Sequence, residues 1–443
     1  MRGWSSGKNY GINQKSKGIK LEKILIFEDF SYENFYPLTL VRTVSCLKIG
    51  TQTIDRKVQA VYPDIKIEYL FRPYLTDVFR ERYPDKEIFT KPDKDVDYLL
   101  LNARYIPDTE HVFPIEGPEE TGVDSNDQVI YIRISGTGLS DIIKCLTDKN
   151  ILAAKLPRVK KYPDFKLVTY PWELIPLNRD AVIGDYKYFR RRPDFIPKEE
   201  LKIGITGNPD YVWVAFNSKV EPFVEINTEN GPVIIDSNTE IHSFTRIEGP
   251  AYIGNNCRLL GAKIRAGTSL FDNCRVGGEV EESILFGNSN HYHHGFIGHS
   301  IVGEWVNIGA LTATSDLKNN YGKIKMDSGF QTIQTDQIKI GSIIGDFTKL
   351  GIGTLLNTGS ILGISANIFG GGIQPKFISS FSWGGKDKFL EYDIEKGIET
   401  NKEIMKRRKL EWTAAFEKLY RKVFELTKEE RKLFLNRIEG KVK

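Results

Sequence analysis

Four of the six histidines in this chain fall within a stretch of nine residues, and this stretch is the strongest sign of chemistry in the sequence. The four are His291, His293, His294 and His299, and the other two are His111 and His242. Imidazole suits proton transfer near neutral pH, so one of the four could act as a general base. They could also bind a metal, although the spacing typical of zinc sites is absent, or they could cap a structural turn. The residues alone leave these three interpretations open.

Asn307 is a second candidate, in the string WVNIGA (305–310). Acyl transfer to an amine needs a base for the nitrogen's proton and a donor, such as a side-chain amide, for the oxyanion. Asparagine is also a common turn residue. Both interpretations of Asn307 stay open at this point.

The elements that must position these residues follow a period of six. Aliphatic residues recur at this spacing from about residue 230, at Ile235, Ile241, Ile247, Ile253 and Leu259, at Ile264, Leu270 and Val276, at Val302 and Ile308, and at Ile338, Ile344, Leu350, Leu356, Leu362 and Ile368. Cys257 and Cys274 are among the small residues that follow four positions later, as corner fillers. This repeat predicts a parallel β-helix, whose grooves suit an extended thioester donor. The repeat is lost at 283–297 and 313–337, where extruded loops with functional residues are expected.

The first half has a different pattern. Strand-like runs near 24–27, 65–70, 98–101 and 129–134 alternate with helical patterns at 75–82 and 140–149, which predicts an α/β layer with a partly parallel sheet. The first run continues into Glu28-Asp29 without glycine, a poor cradle for phosphate. From Lys386 onwards, amphipathic helices are expected to pack on the solenoid end or on a neighbouring chain.

Composition excludes several classes of protein. The 443 residues hold 62 Lys+Arg and 58 Asp+Glu, a net charge of +4 that is too even to favour nucleic acid or an anionic membrane as partner. The four cysteines form no CxxC pair, which argues against a disulfide scaffold or zinc ribbon and favours the cytoplasm. Residues 1–20 hold basic residues and no acid, and are expected to be a disordered tail or to follow an upstream start codon.

Several strings together resemble the bifunctional N-acetylglucosamine-1-phosphate uridylyltransferase/glucosamine-1-phosphate acetyltransferase family, and more closely a divergent branch described as sugar nucleotidyltransferases. The strings are PLTLVR (37–42), LLLNAR (99–104), YPWELIPLN (170–178), HHGFIGHSIVGEWVNIGA (293–310), IGDFTKLGIGTLLNTGSILGISANIFGGG (344–372) and SFSWGG (380–385).

The resemblance implies a nucleotidyltransferase-like α/β domain over 21–228, a left-handed parallel β-helix over 229–380 and a C-terminal helical segment over 381–443. It implies a homotrimer that binds acetyl-coenzyme A between solenoids, with a sugar phosphate and a nucleotide sugar as small-molecule partners. The site residues that it implies are His293 as base, Asn307 as its amide partner, Arg265, Glu281 and Phe296 at the sugar phosphate, and Asn320 and Tyr321 at the coenzyme.

The chain also departs from the pattern of this family. Phe296 and Ser283 replace a tyrosine and a lysine near the sugar, and the glycine-rich GxGTR loop is missing. Asn102-Ala103-Arg104 stands where a metal-binding aspartate is expected, so Mg²⁺ is implied only if nucleotidyl transfer occurs. Arg42, Asn102 and Arg104 are the candidate nucleotide-binding residues.

Three functions follow from the sequence. The leading hypothesis is acetyl transfer from acetyl-coenzyme A to an amino-sugar 1-phosphate. The alternatives are an active sugar-1-phosphate nucleotidyltransferase with a trimerising solenoid, and a non-catalytic scaffold or regulatory subunit.

Overall fold

The computed structural model describes residues 21–107, 112–114, 117–147, 156–386 and 388–440. The expected N-terminal tail and His111 lie outside the described residues. Among the described residues, no helix combines the length and the apolar character needed to cross a lipid bilayer.

The first half is an α/β domain, as predicted. Its strands are β1 (Leu21–Phe27), β2 (Lys48–Ile49), β3 (Gln52–Thr53), β4 (Lys66–Leu70), β5 (Glu87–Ile88), β6 (Asp97–Asn102), β7 (Glu120–Val123), β8 (Val129–Ser135) and β9 (Val159–Lys161). Seven of them form one sheet in the order β5-β4-β1-β6-β8-β7-β9, in which β5, β4, β1 and β6 run parallel, while β2 and β3 form a separate hairpin. The helices are α1 (Ile54–Val61), α2 (Thr76–Arg82), α3 (Gly136–Thr147) and α4 (Leu174–Phe189).

Short 3₁₀ turns connect these elements. They span Phe30–Phe35, Leu38–Leu40, Val44–Cys46, Pro73–Leu75, Pro171–Glu173, Lys198–Glu200 and Pro209–Tyr211. The buried strand Asp97–Asn102 at the centre of the sheet carries an almost continuous apolar run, as expected of a strand covered on both faces.

The second half is a parallel β-helix, which confirms the prediction made from the six-residue repeat. Strands on face one are Gly204–Thr206, Glu225–Asn227, Arg246–Glu248, Lys263–Ile264, Glu279–Glu281, Phe296–Gly298, Ala313–Thr314, Thr354–Leu356 and Gly372–Ile373. Strands on face two are Val212–Val214, Val233–Ile235, Ala251–Ile253, Thr268–Leu270, Ile284–Leu285, Ile301–Val302, Ser342–Ile344, Ser360–Leu362 and Phe377–Ile378. Strands on face three are Lys219–Val220, Glu240–Ile241, Arg258–Leu259, Arg275–Val276, Asn290–His291, Asn307–Ile308, Lys349–Leu350, Asn367–Ile368 and Ser382–Gly385, and Lys388–Glu391 is added antiparallel to the last of these.

The stack begins at Gly204–Thr206, before residue 229. Val214, Val220 and Ile226 already keep the spacing of six, but the next inward residue is Ile235, and this longer step hides the first coils from a search for the repeat.

The first break in the repeat does not extrude a loop, so that expectation was wrong. Strands Ile284–Leu285, Asn290–His291 and Phe296–Gly298 complete an ordinary coil. Leu285, His291 and Ile297 lie six apart and all three are fully buried. The coil was missed because a histidine occupies an inward position that is otherwise aliphatic.

The second break does extrude a loop, as predicted. Residues 315–341 leave the solenoid between face one and face two and contain an antiparallel hairpin of Lys325–Asp327 and Thr332–Gln334. Ile338, expected inside, is 50% exposed, because this loop and not a coil carries it, and Ile340 is buried instead.

Three helices follow the solenoid in the described residues: α5 (Ile394–Lys406), α6 (Ala414–Leu426) and α7 (Lys428–Ile438). Phe416 and Tyr420 on α6 pack against Phe347 of the solenoid, in a buried cluster that also contains Val78 of α2. These helices therefore contact both the solenoid and the α/β domain of the same chain.

Candidate active site

His293 and Asn307 line one cavity of about 400 Å³ on the solenoid. His293 lies in the turn between the strands Asn290–His291 and Phe296–Gly298, where its side chain is exposed. Asn307 begins the face-three strand of the next coil. The fold thus brings together the two residues proposed for acyl transfer, which the coil, rather than an extruded loop, holds in place.

Within the part of the chain that the structure describes, no hydrogen bond engages the side-chain amide nitrogen of Asn307. Asn290 Nδ2 donates to Asn307 Oδ1 at 3.3 Å, which ties down the carbonyl end of the side chain. Arg408 Nη2 in turn donates to Asn290 Oδ1 at 2.7 Å. The Asn307 NH₂ group can therefore donate to an oxyanion in the cavity.

The four clustered histidines do not converge on one point. His291 points into the prism, His293 and His294 lie exposed in the turn, and His299 lies at the next corner of the coil. Within the described part of the chain, no group of three or more His, Cys, Asp or Glu side chains is arranged to hold a metal ion.

His291 is a packing residue. It is fully buried, and burial lowers its pKa to about 4, so the ring is neutral. A Cβ on Gly278 would lie 2.2 Å from His291 Nε2, and one on Gly295 would lie 2.8 Å from its Cε1. The glycines on both sides therefore make room for an imidazole inside the solenoid.

His299 is an ion-pair centre. Its Nδ1 lies 2.7 Å from Asp316 Oδ2 and its Nε2 lies 3.0 Å from Glu282 Oε2. Burial opposes the positive charge, but the two carboxylates outweigh it and raise the pKa of His299 to about 9. The protonated ring joins the start of the inserted loop to the preceding coil, and it cannot act as a base.

The residues implied at the sugar phosphate lie on face one. Arg265 Nε pairs with Glu248 at 3.0 Å and its Nη1 with Glu279 at 3.4 Å. Phe296 is the register partner of Glu279, and Glu281 lies 3.8 Å from Lys339 Nζ. None of Arg265, Glu281 and Phe296 lines the cavity of His293.

Asn320 and Tyr321 lie on the inserted loop. Asn320 Oδ1 accepts a hydrogen bond from Gly322 N at 3.1 Å, and Tyr321 is 70% exposed. Neither residue lines the His293 cavity.

Asn102 and Arg104 meet Asp29 where β1 and β6 end. Asn102 Nδ2 donates to Asp29 Oδ2 at 2.9 Å, and Arg104 Nη2 to the same oxygen at 2.5 Å. Arg104 Nε and Ser31 N donate to Asp29 Oδ1 at 3.2 and 3.0 Å.

The donor set in this cluster does not fit Mg²⁺. Both oxygens of Asp29 are occupied by cationic or amide donors, and a guanidinium stands where the ion would need carboxylates. No step of a reaction can be derived through Mg²⁺ from these residues.

Arg42 lies in the junction between the α/β domain and the solenoid. It is 6% exposed, and Nη1 donates to Leu38 O at 2.8 Å and to Asp346 Oδ1 at 3.0 Å. Glu304, also within 4 Å of Arg42, pairs with Arg82 at 2.9 Å. These contacts place Arg42 as a link between the two halves of the chain.

Sequence reasoning missed Arg275 and Asn290, which also line the His293 cavity. Each immediately precedes an inward residue of face three, as Asn307 does. Because all three residues hold the same position in the six-residue repeat, that position could have been used to find Arg275 and Asn290.

Comparisons with known proteins found one family model and several curated relatives that resemble parts of this chain. A family model described as "Sugar nucleotidyl transferase" matches residues 24–193. A bifunctional sugar-1-phosphate nucleotidylyltransferase/acetyltransferase of Sulfurisphaera tokodaii is 30% identical over 234 residues, which cover 52% of this chain and 51% of that protein. The bifunctional protein GlmU of Nitrosospira multiformis is 38% identical over 123 residues, 26% of each chain, and that of Methanococcus aeolicus is 34% identical over 169 residues, 38% of this chain and 37% of that one. The chain thus spans about half, or less, of the length of these curated relatives.

Proposed function

We propose that this chain, which resembles the bifunctional sugar-1-phosphate nucleotidylyltransferase/acetyltransferases, transfers an acetyl group from acetyl-coenzyme A to the amine of an amino-sugar 1-phosphate, of the glucosamine 1-phosphate type. The observation that carries the proposal is the single cavity lined by His293 and Asn307. We also place the reaction in the cytoplasm, in keeping with four free cysteines.

The proposed chemistry needs only these two side chains. His293 takes the proton from the attacking amine, whose nitrogen bonds to the thioester carbonyl carbon. Asn307 donates its NH₂ to the oxyanion that forms on the carbonyl oxygen. The carbon–sulfur bond then breaks, and the proton held on His293 passes to the departing thiolate, so that the base is regenerated.

We propose a homotrimer in which face one meets a neighbouring chain. Large apolar side chains are exposed at the C-terminal end of this face and in the turns that lead to it: Leu311, Ile352, Leu355 and Ile373. Ile352 also lines the His293 cavity, so a neighbour seated there would border the site. In such an assembly, Arg265, Glu281, Phe296, Asn320 and Tyr321 would meet the substrates from another protomer.

For the α/β domain we propose binding of a nucleotide sugar without Mg²⁺-dependent turnover. A cavity of about 700 Å³ lies between α1 and α4 with Arg104 in its wall, which is a size suited to such a ligand. The match to the sugar nucleotidyl transferase model favours the second candidate function, nucleotidyl transfer. Pyrophosphate release from a nucleoside triphosphate and a sugar 1-phosphate, in the presence of Mg²⁺, would establish that second function.

The experiment that tests the acetyltransferase measures coenzyme A release from acetyl-coenzyme A, with glucosamine 1-phosphate offered first. We expect His293→Ala to reduce the rate by about 10²–10⁴-fold. His294→Ala is the matched control, because it removes a neighbouring exposed imidazole from the same turn, and its rate should stay near that of the natural protein. Full activity in His293→Ala would refute the assigned base. No release from the natural protein with any amino-sugar phosphate would favour the scaffold hypothesis.

A further inference from the structure

The outward side chains of face three form a ladder that leads into the His293 cavity. Arg258 is the register partner of Arg275, Arg275 of Asn290, and Asn290 of Asn307. Neighbouring strands in a sheet lie about 4.8 Å apart, so each pair is in direct lateral contact. Two arginines therefore stand side by side, one coil apart, at the edge of the candidate active site.

A third arginine reaches this ladder from the C-terminal segment. Arg408 follows α5 and its guanidinium bonds to Asn290 Oδ1 at 2.7 Å. Burial is the main influence that lowers the pKa of Arg408, and the charges of Arg275 and Arg258 lower it further. The three guanidinium groups are thus close enough to repel one another, and we call Arg258, Arg275 and Arg408 the arginine patch.

The patch is poorly neutralised by the protein. Among the described residues, its one ion pair is that of Arg258 with Glu240 at 3.2 Å, and Arg275 and Arg408 have no carboxylate within 4 Å. Like charges directly opposite each other in a sheet are destabilising. Arg265 on face one differs, because two carboxylates already hold its guanidinium. An arrangement that costs stability and lacks an internal counter-ion fits a site for an external anion.

We propose that the arginine patch binds a phosphate group of a substrate held in the His293 cavity. Guanidinium groups bind phosphate oxygens in a bidentate manner, and several together suit a dianion. Arg275 lines the cavity itself, so a phosphate held there would lie beside His293 and Asn307. This inference rests on the proposed acetyl transfer for its two candidate ligands, the sugar 1-phosphate and the phosphates of coenzyme A.

The test is equilibrium binding by calorimetry, which needs no turnover. The probes are glucosamine 1-phosphate and coenzyme A, with glucosamine and pantetheine as their phosphate-free counterparts. The variants are Arg275→Gln and Arg408→Gln. The control is Lys219→Gln, which removes an exposed cation from the same ladder in the first coil. Thermal melting of each variant checks that it is folded.

We expect each arginine variant to bind at least one phosphorylated probe about tenfold more weakly than the natural protein does. Its affinity for the phosphate-free counterpart should be unchanged. Weaker binding of glucosamine 1-phosphate would show that the arginine patch binds the acceptor's phosphate. Weaker binding of coenzyme A would show that it binds a phosphate of the donor. The proposal is overturned if the natural protein binds neither phosphorylated probe, if both folded variants bind them unchanged, or if Lys219→Gln weakens them equally. Binding that depends on the arginines without acetyl transfer would refute the proposed function alone.

Discussion

The candidate sites in the two halves of this chain differ in how their charged groups are paired. At the end of β1 in the α/β domain, Arg104 and Asn102 occupy both oxygens of Asp29. On the solenoid, the imidazole of His293 is exposed and Arg275 has no carboxylate within 4 Å among the described residues. Charged groups that pair with each other stabilise the fold, whereas charged groups without a partner in the protein are available to bind a ligand. The comparison supports the proposal that acetyl transfer takes place on the solenoid.

The largest expected change in stability comes from breaking the buried ion pair between Arg42 and Asp346. Arg42→Ala would leave Asp346 buried without its partner in the domain junction. We expect a loss of about 3–5 kcal/mol in the free energy of unfolding, measured by urea denaturation. The double variant Arg42→Met/Asp346→Leu removes both charges and should lose far less. An equal loss in the double variant would show that the junction depends on packing and not on the pair.

The ion-pair centre at His299 should give a pH-dependent effect. Its pKa is about 9 in the folded protein and about 6.5 when unfolded, so its contribution is complete below pH 6.5 and is lost as pH rises through 9. We expect His299→Gln to destabilise the protein by about 2 kcal/mol at pH 6 and by much less at pH 9.5. The measurement is the urea midpoint at both pH values. His242→Gln is the control, because His242 pairs with carboxylates on an exposed corner. The same loss at both pH values would exclude charge as the cause.

Lys349 sharpens the comparison, because it is a half-buried cation that pairs with no carboxylate among the described residues. Its Nζ donates to Phe347 O and Asn401 Oδ1, and burial lowers its pKa to about 7. The unfolded chain binds the proton up to about pH 10.4, so the stability of the natural protein should rise between pH 7 and 10. We expect Lys349→Met to be about 1 kcal/mol more stable at pH 7 and to lack that rise, as measured by thermal melting across pH. A variant less stable at pH 7 would mean that the two hydrogen bonds outweigh desolvation.

The smallest change in stability is expected at the open site. His293→Ala and Arg275→Gln remove no ion pair from the described protein, so each should alter the free energy of unfolding by less than about 0.5 kcal/mol. Arg275→Gln should slightly increase the free energy of unfolding, because it removes the repulsion between Arg275 and the neighbouring arginines. Urea denaturation beside the activity and binding assays provides the check, and a loss of several kcal/mol would mean that these residues hold the fold.

Much of the fold could be predicted from the sequence, since the six-residue period is a local signal. The same signal failed at His291, because a polar residue in an inward position is indistinguishable from an interruption until its burial is known. His293 and Asn307 were accessible to sequence reasoning through the resemblance and their fixed spacing.

The long-range contacts could not be predicted. Arg42 belongs to PLTLVR (37–42), one of the strings that carry the family resemblance, but its partner Asp346 lies 304 residues further along the chain. Arg408 and Asn290 are separated by 118 residues and share no pattern. Such pairs depend on how the domains dock, which local periodicity does not encode.

The C-terminal helices have a consequence for the order of synthesis. Glu430 on α7 accepts a hydrogen bond from Tyr36 Oη at 2.6 Å, across 394 residues of chain. At a translation rate of about 5–20 residues per second, Tyr36 waits roughly 20–80 s for this partner to emerge from the ribosome. Before then the α/β domain and the growing solenoid lack the helices that cover their joint, and the apolar surface around Val78 and Phe347 stays open. We expect a ribosome-bound chain to need protection by a chaperone at that surface until α6 and α7 arrive.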